Sequence, residues 1–166
     1  MNLPPEFGVV FDCNVLLQAA ARKTGPAAAC LRLVEKGFVR LYLSEDILKE
    51  ISDVFRRPQV RIQFPELTDD IVGTFLDLLK HTARTMERVP RKFAYERDVD
   101  DECYINLAVE AEADYLVSRD KDLLDLMTGH TDACKDFRQR FRRLKVVEPL
   151  EFLKEMGNIA REREGG

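Results

Sequence analysis

The most constraining feature of the chain is an apolar run near its N-terminus that ends abruptly at an acid. The segment 7–12 is predicted to be a strand, and because Val9–Phe11 is continuously apolar, the strand is expected to be buried on both faces. An apolar helical pattern begins at Val15. Ligands of open α/β sheets bind at the carboxyl ends of strands. This stretch therefore predicts an α/β fold with Asp12 at the ligand-binding edge.

Strand-like and helical segments alternate along the rest of the chain. Apolar spacing and turn residues predict further strands at 39–43, 86–89, 114–118 and 145–147, and helices at 15–21, 26–36, 45–56, 68–83, 101–112, 120–127, 132–144 and 149–156. Such alternation favours a three-layer α/β/α sandwich around a central parallel sheet of about four to five strands, with right-handed crossovers. We expect one domain at 1–156, followed by a disordered tail at 157–166.

The composition narrows the classes of function. A length of 166 residues favours one domain, and a formal charge of −4 gives no chain-wide basic surface for nucleic acid, although a local patch is compatible with it. The four cysteines form no C-x-x-C pair and the two histidines no cluster, which argues against zinc, disulfides and histidine-based catalysis. No apolar run reaches membrane-spanning length, so a cytoplasmic protein without membrane contact is expected.

Four acids are placed where they can reach one edge of the sheet. Asp12 and Asp120 follow predicted strands, while Glu50 and Asp101 lie among the apolar residues of helix stripes. Each position has an ordinary alternative. An acid after a strand can cap the next helix, a glutamate beside a stripe can reach water, and an acid in a first turn complements the helix dipole. Four such placements together are harder to explain in these ways.

Carboxylates that meet at one edge of a sheet need a compensating charge. Mg²⁺ and Mn²⁺ are hard cations that bind a few carboxylates together with water and phosphate oxygens. An ion of this kind activates water and neutralises charge on a phosphate group. The four acids therefore predict hydrolysis of phosphodiester bonds, for which no covalent nucleophile is needed.

Four segments, taken in order, resemble those of PIN-domain ribonucleases. They are VVFDCNVLL at 9–17, LSEDILKEI at 43–51, DVDDECYINLA at 98–108 and ADYLVSRDKDLL at 113–124. The Arg-Pro pair at 57–58 is similar to a branch of toxins from toxin–antitoxin systems, related to VapC. The resemblance implies a nuclease that hydrolyses RNA internally with Mg²⁺ or Mn²⁺. It also implies a homodimer and, often, an antitoxin protein that blocks the site.

The resemblance also implies roles for individual residues. The residues implied to be both catalytic and metal-binding are Asp12, Glu50, Asp101 and Asp120. Asp98 and Glu102 are alternatives for the third acid, and Asp122 either contacts metal through water or only caps a helix. Asn14 and Ser118 match polar positions that orient water or phosphate, although backbone capping explains them equally well.

A single arginine and one basic helix face are candidates for binding RNA. Arg119 stands beside the predicted metal site, and the helix predicted at 132–144 places Lys135, Arg138 and Arg142 along one face. Such a face tracks phosphates in a salt-dependent way, but it is more often an ordinary solvated surface.

Two other functions stay open at this point. A phosphatase resembling the haloacid dehalogenases would use Asp12 as its nucleophile. That family has a second aspartate two residues later, where this chain has Asn14, and no matching lysine motif is evident. A non-catalytic PIN module that binds RNA or protein is the other alternative.

Overall fold

The central sheet has five strands in the part of the chain that the computed structural model describes, which is residue 5 and residues 7–165. The strands are β1 Phe7–Phe11, β2 Val39–Ser44, β3 Arg84–Met86, β4 Tyr115–Val117 and β5 Lys145–Val147. They are ordered β3-β2-β1-β4-β5, and every neighbouring pair is parallel. Helices flank this sheet, which confirms the predicted α/β/α sandwich.

Helices make all the connections between these strands. The helices are α1 Cys13–Ala21, α2 Pro26–Glu35, α3 Glu45–Phe55, α4 Pro58–Gln63, α5 Asp69–Thr82, α6 Glu102–Glu110, α7 Lys121–Thr128, α8 Asp132–Arg140 and α9 Pro149–Gly165, with a 3-10 turn at Glu96–Asp98 before α6. The predicted caps Ser44 and Thr68 accept hydrogen bonds from the backbone at the starts of α3 and α5. Within residues 7–165, no helix is long and apolar enough to cross a membrane.

The order of the strands reverses at β1. The chain runs outward from β1 through β2 to β3, then crosses back to β4 on the other side of β1 and continues to β5. Because such crossovers are right-handed, the reversal places α6 on the face opposite α2. α6 packs against β1, β2 and β4, and α2 packs against β2 and α9. The carboxyl ends of β1 and β4 therefore border a switch point, where open α/β sheets form ligand sites.

The central strand lies in the middle of the core. Val9–Phe11 is fully buried, as expected for a strand covered on both faces. The rings of Phe11 and Tyr115 both pack edge-on against Phe152 of α9. The last helix therefore covers the junction between β1 and β4 and holds together the two strands that border the switch point.

Two element boundaries differ from those predicted. β3 occupies Arg84–Met86 instead of 86–89, because α5 ends at Thr82 and the chain pairs with β2 directly afterwards. α8 ends at Arg140 instead of 144, because Phe141 leaves the helical conformation and turns its ring onto Phe93 and Phe137. Packing of an aromatic side chain thus overrides the helical spacing of the sequence.

The last helix is longer than the apolar pattern predicts. α9 continues to Gly165, so residues 157–165, expected to form a disordered tail, are helical; residue 166 lies outside the described residues. Glu155 pairs with Lys145 at 3.1 Å, and the Arg163 guanidinium lies 6.0 Å from the centre of the Phe7 ring. These contacts tie the helix to β5 and β1. Residue 156 falls inside the helix, and a domain limit there stays a prediction.

One buried amide holds the irregular segment between β3 and α6. The Oδ1 atom of Asn106, on α6, accepts hydrogen bonds from the backbone N–H groups of Lys92 and Phe93, each at 2.8 Å. Its Nδ2 atom donates to the carbonyl oxygens of Phe93 and Glu102. The Glu102 carboxylate binds the Arg91 side chain and a backbone N–H of the same segment. The predicted loop is therefore fixed to α6.

We expect Asn106→Ala to lower the free energy of unfolding by about 3 kcal/mol, because two backbone N–H groups and a carbonyl lose their partner in a largely buried setting. Urea denaturation measures this change. The exposed Asn158→Ala on α9 is the matched control and is expected to shift stability by less than about 0.7 kcal/mol. A loss below about 1 kcal/mol for Asn106→Ala would contradict the conclusion that this amide holds the segment between β3 and α6.

Candidate metal centre

Asp12 is both a helix cap and a buried acid. It follows β1 directly, and its Oδ1 accepts a hydrogen bond from the Val15 backbone N–H at 3.0 Å at the start of α1. Its Oδ2 accepts a short hydrogen bond from the Ser118 hydroxyl. Only 2% of the residue is exposed. Capping therefore accounts for one oxygen, and the pair of hydrogen bonds fixes the carboxylate at the carboxyl end of β1.

Ser118 links the ends of the two central strands. It follows β4 and is fully buried. Its Oγ donates to Asp12 and accepts a hydrogen bond from the Asp120 backbone N–H at 2.9 Å. Asp120 in turn caps α7 by accepting from the Asp122 backbone N–H at 2.8 Å. One hydroxyl therefore fixes Asp12 relative to the turn that carries Asp120.

Asp120 meets two acids from the segment before α6. Carboxylate oxygens of Asp98, Asp101 and Asp120 lie within 4.8 Å of one another. The Asp98 carboxylate accepts a hydrogen bond from the Asp101 backbone N–H at 3.2 Å. Asp101 occupies the N-cap position of α6, but its side chain makes no capping hydrogen bond there. We call Asp98, Asp101 and Asp120 the acidic cluster.

Glu50 reaches the same region from α3 but stands apart from the acidic cluster. It is half-buried, and its Oε2 lies 4.0 Å from the Cys103 sulfur on α6. Burial, followed by the charge of Asp100, raises the pKa of Glu50, and Arg57 opposes the shift. Glu50 thus borders the cluster, and it is not one of the acids that converge within the described residues.

Asp12 is hard to ionise because it is buried. Burial raises the pKa of its carboxyl from 3.8 to about 6; the charge of Asp120 adds to the shift, while hydrogen bonds from Ser118 and Val15 oppose it. Burial favours the neutral form of a carboxyl because water no longer solvates the charge. Ionising Asp12 in the folded protein therefore costs free energy unless a positive charge is close by.

Asp101 and Asp120 shift in opposite directions. Burial, followed by side-chain contacts with Asp120 and Asp98, raises the pKa of Asp101. Burial also acts to raise the pKa of Asp120, but hydrogen bonds from Asp101 and from the backbone outweigh it, and the pKa of Asp120 is lowered. The two behave as carboxylates that share one proton, with Asp101 holding it and Asp120 carrying the charge.

The donor set of the cluster fits a hard divalent cation. The three aspartates offer only oxygen ligands at close range, which suits Mg²⁺ or Mn²⁺. A cation between them would supply the positive charge that the shared proton otherwise provides. Asp12 adjoins the cluster through Ser118, and its pKa is raised mainly by burial and also by the charge of Asp120.

Two predicted acids are turned away from the cluster. Glu102 is bound by the Arg91 side chain, and this hydrogen bond is the main reason that the pKa of Glu102 is lowered. Asp122 pairs with Arg97 at 2.6 Å. Because an arginine from the segment before α6 neutralises each carboxylate, neither belongs to the group of acids that converges in residues 7–165.

The basic residues predicted to bind RNA do not share one helix face. Arg138 folds back and donates to two backbone carbonyls at the end of α7, each at 2.8 Å. α8 ends at Arg140, so Arg142 lies beyond the helix, while Lys135 is exposed on it. The predicted single face is therefore wrong. Arg119 is exposed beside the acidic cluster, as its sequence position suggests.

A buried tyrosine lies near the acids. Tyr104 is 1% exposed, and its hydroxyl has no hydrogen-bond partner among the described residues. Burial raises the pKa of this hydroxyl above its usual range, and the neighbouring Cys13 and Glu50 add to the shift. Tyr104 follows Asp101 by three residues, and this spacing predicts only that the side chain lies in the core. The sequence carries no signal that the hydroxyl lies unpartnered beside acidic groups.

Comparison with protein-family models matches the PIN domain over residues 8–122. The matched range runs from β1 to the first residues of α7, so it contains Asp12, Glu50 and the whole acidic cluster. It leaves out α8, β5 and α9. A search of curated proteins finds no match to the chain.

We expect Asp12→Asn to stabilise the metal-free protein at neutral pH. The folded-state pKa of Asp12 is about 6, above the ordinary 3.8, so its contribution to stability is full below pH 3.8 and is lost as the pH rises through 6. Asparagine stays neutral, so the variant should exceed the wild type by up to about 3 kcal/mol at pH 7.5 and match it near pH 4. Urea denaturation in EDTA at both pH values measures the difference.

The exposed Asp77→Asn on α5 is the control for this prediction, since it makes the same chemical change at the surface. It should alter stability by less than about 0.5 kcal/mol at either pH. An Asp12→Asn variant that is less stable than the wild type at pH 7.5 in EDTA would show that the buried carboxylate is compensated within the chain itself.

Proposed function

The chain belongs to the PIN domain family, whose members are generally nucleases, and we propose that it is a metal-dependent endoribonuclease. It hydrolyses phosphodiester bonds of RNA with Mg²⁺ or Mn²⁺ held at the acidic cluster. The observation that carries this proposal is the convergence of Asp98, Asp101 and Asp120 within 4.8 Å, beside Asp12. The four acids lie by the switch point between β1 and β4, where the fold favours a ligand site.

The residues of the chain have distinct parts in the proposed reaction. The acidic cluster holds the cation, and Ser118 keeps Asp12 beside it. A bound divalent ion supplies Lewis acidity, since it lowers the pKa of water and neutralises charge on the phosphate and the leaving oxygen. Asn14 is exposed at the start of α1 and shares a cleft with Asp120, from which its amide can orient the phosphate. Glu50 contributes a further carboxylate from α3, near Cys103 of α6.

A phosphatase with Asp12 as nucleophile fits the structure less well. Both carboxylate oxygens of Asp12 accept hydrogen bonds, from Val15 and Ser118, and the residue is almost fully buried. A nucleophile needs access to its substrate, and a carboxyl that is 2% exposed offers little. A non-catalytic module is also disfavoured, because three converging carboxylates without a cation are costly to keep together.

We further propose that the protein acts in the cytoplasm as the toxin of a toxin–antitoxin pair, as a homodimer whose site an antitoxin covers. The support is the resemblance of the four sequence segments and of Arg57-Pro58 to the VapC-related branch. Induced expression in a host without the partner should arrest growth, and Asp120→Asn should not. Normal growth in the presence of active wild-type nuclease would contradict the toxin role alone.

We expect Asp101→Asn and Asp120→Asn each to reduce cleavage of single-stranded RNA by at least about 100-fold, because loss of a second-shell partner already costs 10- to 100-fold in metal sites. The measurement is the initial rate of cleavage of a fluorescent RNA oligonucleotide in Mg²⁺ or Mn²⁺. Asp77→Asn, on the surface of α5, should cleave like the wild type. Cleavage that survives EDTA, or that is equal in wild type and Asp120→Asn, would contradict the proposal.

A further inference from the structure

A polar cleft lies directly beside the acidic cluster. It opens between α1, α4 and the turn after β4, with a volume of about 270 Å³. Three amide side chains line it, those of Asn14, Gln18 and Gln63, together with the Arg119 guanidinium and the carboxylate of Asp120. Asp120 therefore belongs both to the cleft and to the acidic cluster.

The amides in this cleft are available to a ligand. Asn14 and Gln63 are exposed and Gln18 is half-buried. None of the three side-chain amides hydrogen-bonds to another group in the described part of the chain. Each amide offers a donor and an acceptor side by side. That combination matches the edges of nucleobases, which proteins read with asparagine and glutamine.

The floor of the cleft is apolar and its size is small. Leu17 and Phe64 line it, and each is only 6% exposed, so they present a limited apolar surface beneath the amides. Sites for drug-sized ligands begin near 300 Å³. A cleft of about 270 Å³ has room for one planar group with polar edges.

The charge of Arg119 indicates how a base bound in the cleft would be joined to the phosphate at the acidic cluster. Arg119 is the one cation among the residues that line the cleft, and it adjoins Asp120 in the chain. A phosphate attached to the bound nucleoside can pair with this guanidinium. It then lies at the border between the cleft and the acidic cluster, where the proposed cleavage takes place.

We propose that this cleft is a base-recognition subsite, which binds one nucleobase of single-stranded RNA adjacent to the scissile phosphate. The inference rests on the proposed nuclease function for its biological meaning. The amides of Gln18 and Gln63 read the edge of the base, and Arg119 binds the phosphate that joins it to the cleavage site. The subsite gives the protein a preference for the base on one side of the cut.

NMR can test the subsite without any cleavage. The side-chain NH2 signals of Gln18 and Gln63 are followed in EDTA while each of the four ribonucleoside 5′-monophosphates is added to about 10 mM. Both signals should shift in a saturable way, and one base should bind most tightly. The NH2 signal of Gln59, which lies on α4 outside the cleft, should not shift.

Substitution separates recognition of the base from general attraction to phosphate. Gln18→Ala and Gln63→Ala should each raise the Kd of the preferred monophosphate about fivefold, the loss expected for one hydrogen bond. Both variants should bind the weakest-binding monophosphate with a Kd within about twofold of the wild-type value. Gln59→Ala is the matched control and should change neither value.

Three results would overturn the subsite: no shift of either glutamine signal with any monophosphate, equal Kd values for all four bases, or an equal loss for all bases in the variants. None of these depends on RNA cleavage. An inactive protein that still binds one base at Gln18 and Gln63 would contradict the nuclease proposal but support the base-recognition subsite. An active nuclease without these shifts would contradict the subsite and leave the nuclease proposal standing.

Discussion

The arrangement of this site depends on the repulsion between carboxylates that share one edge of the sheet. Asp98, Asp101 and Asp120 lie within 4.8 Å of one another, and Ser118 connects Asp12 to the same group. Acids at this distance cannot all be charged without a cation. Helix capping explains the positions of Asp12 and Asp120 one at a time, since both accept backbone hydrogen bonds. It does not explain Asp101, which makes no cap and whose pKa is raised by burial and by its contacts with Asp120 and Asp98.

The arginines near the site divide the neighbouring acids into two groups. Arg91 neutralises Glu102, and Arg97 pairs with both Asp122 and Asp125. These pairs fix the segment before α6 to the rest of the fold, together with the amide of Asn106. The members of the acidic cluster form no ion pair within the described residues. Near the site, the acids that hold the scaffold together have arginine partners, and the members of the acidic cluster have none among the described residues.

The sequence predicts the sheet and the strand-end acids well because both depend on local patterns. A continuously apolar run ending in Asp12 and a second ending near Asp120 are sufficient to place both acids at one edge of a parallel sheet. Spacing could not separate Glu102 from Asp98 and Asp101, which both lie in the acidic cluster. That separation depends on Arg91, which binds Glu102 from the preceding loop and is not marked by any periodic pattern.

Long-range packing accounts for the other differences between prediction and structure. α8 stops early because the ring of Phe141 packs onto Phe93, which is distant in sequence, and Arg142 then leaves the predicted basic face. The unpartnered hydroxyl of Tyr104 is likewise visible only in three dimensions. Side-chain contacts across the fold, and not local propensity, decide these details.

The central claim is that the acidic cluster binds a divalent cation, and binding of Mn²⁺ to the RNA-free protein tests it most directly. The signal of free Mn²⁺ in electron paramagnetic resonance reports the bound fraction during a titration at pH 7.5. We predict saturable binding that Asp101→Asn weakens at least about tenfold. Asp122→Asn should bind like the wild type, because the Asp122 carboxylate pairs with Arg97 outside the cluster. Equal affinity in the wild type and Asp101→Asn, or no saturable binding to the wild type, would contradict it.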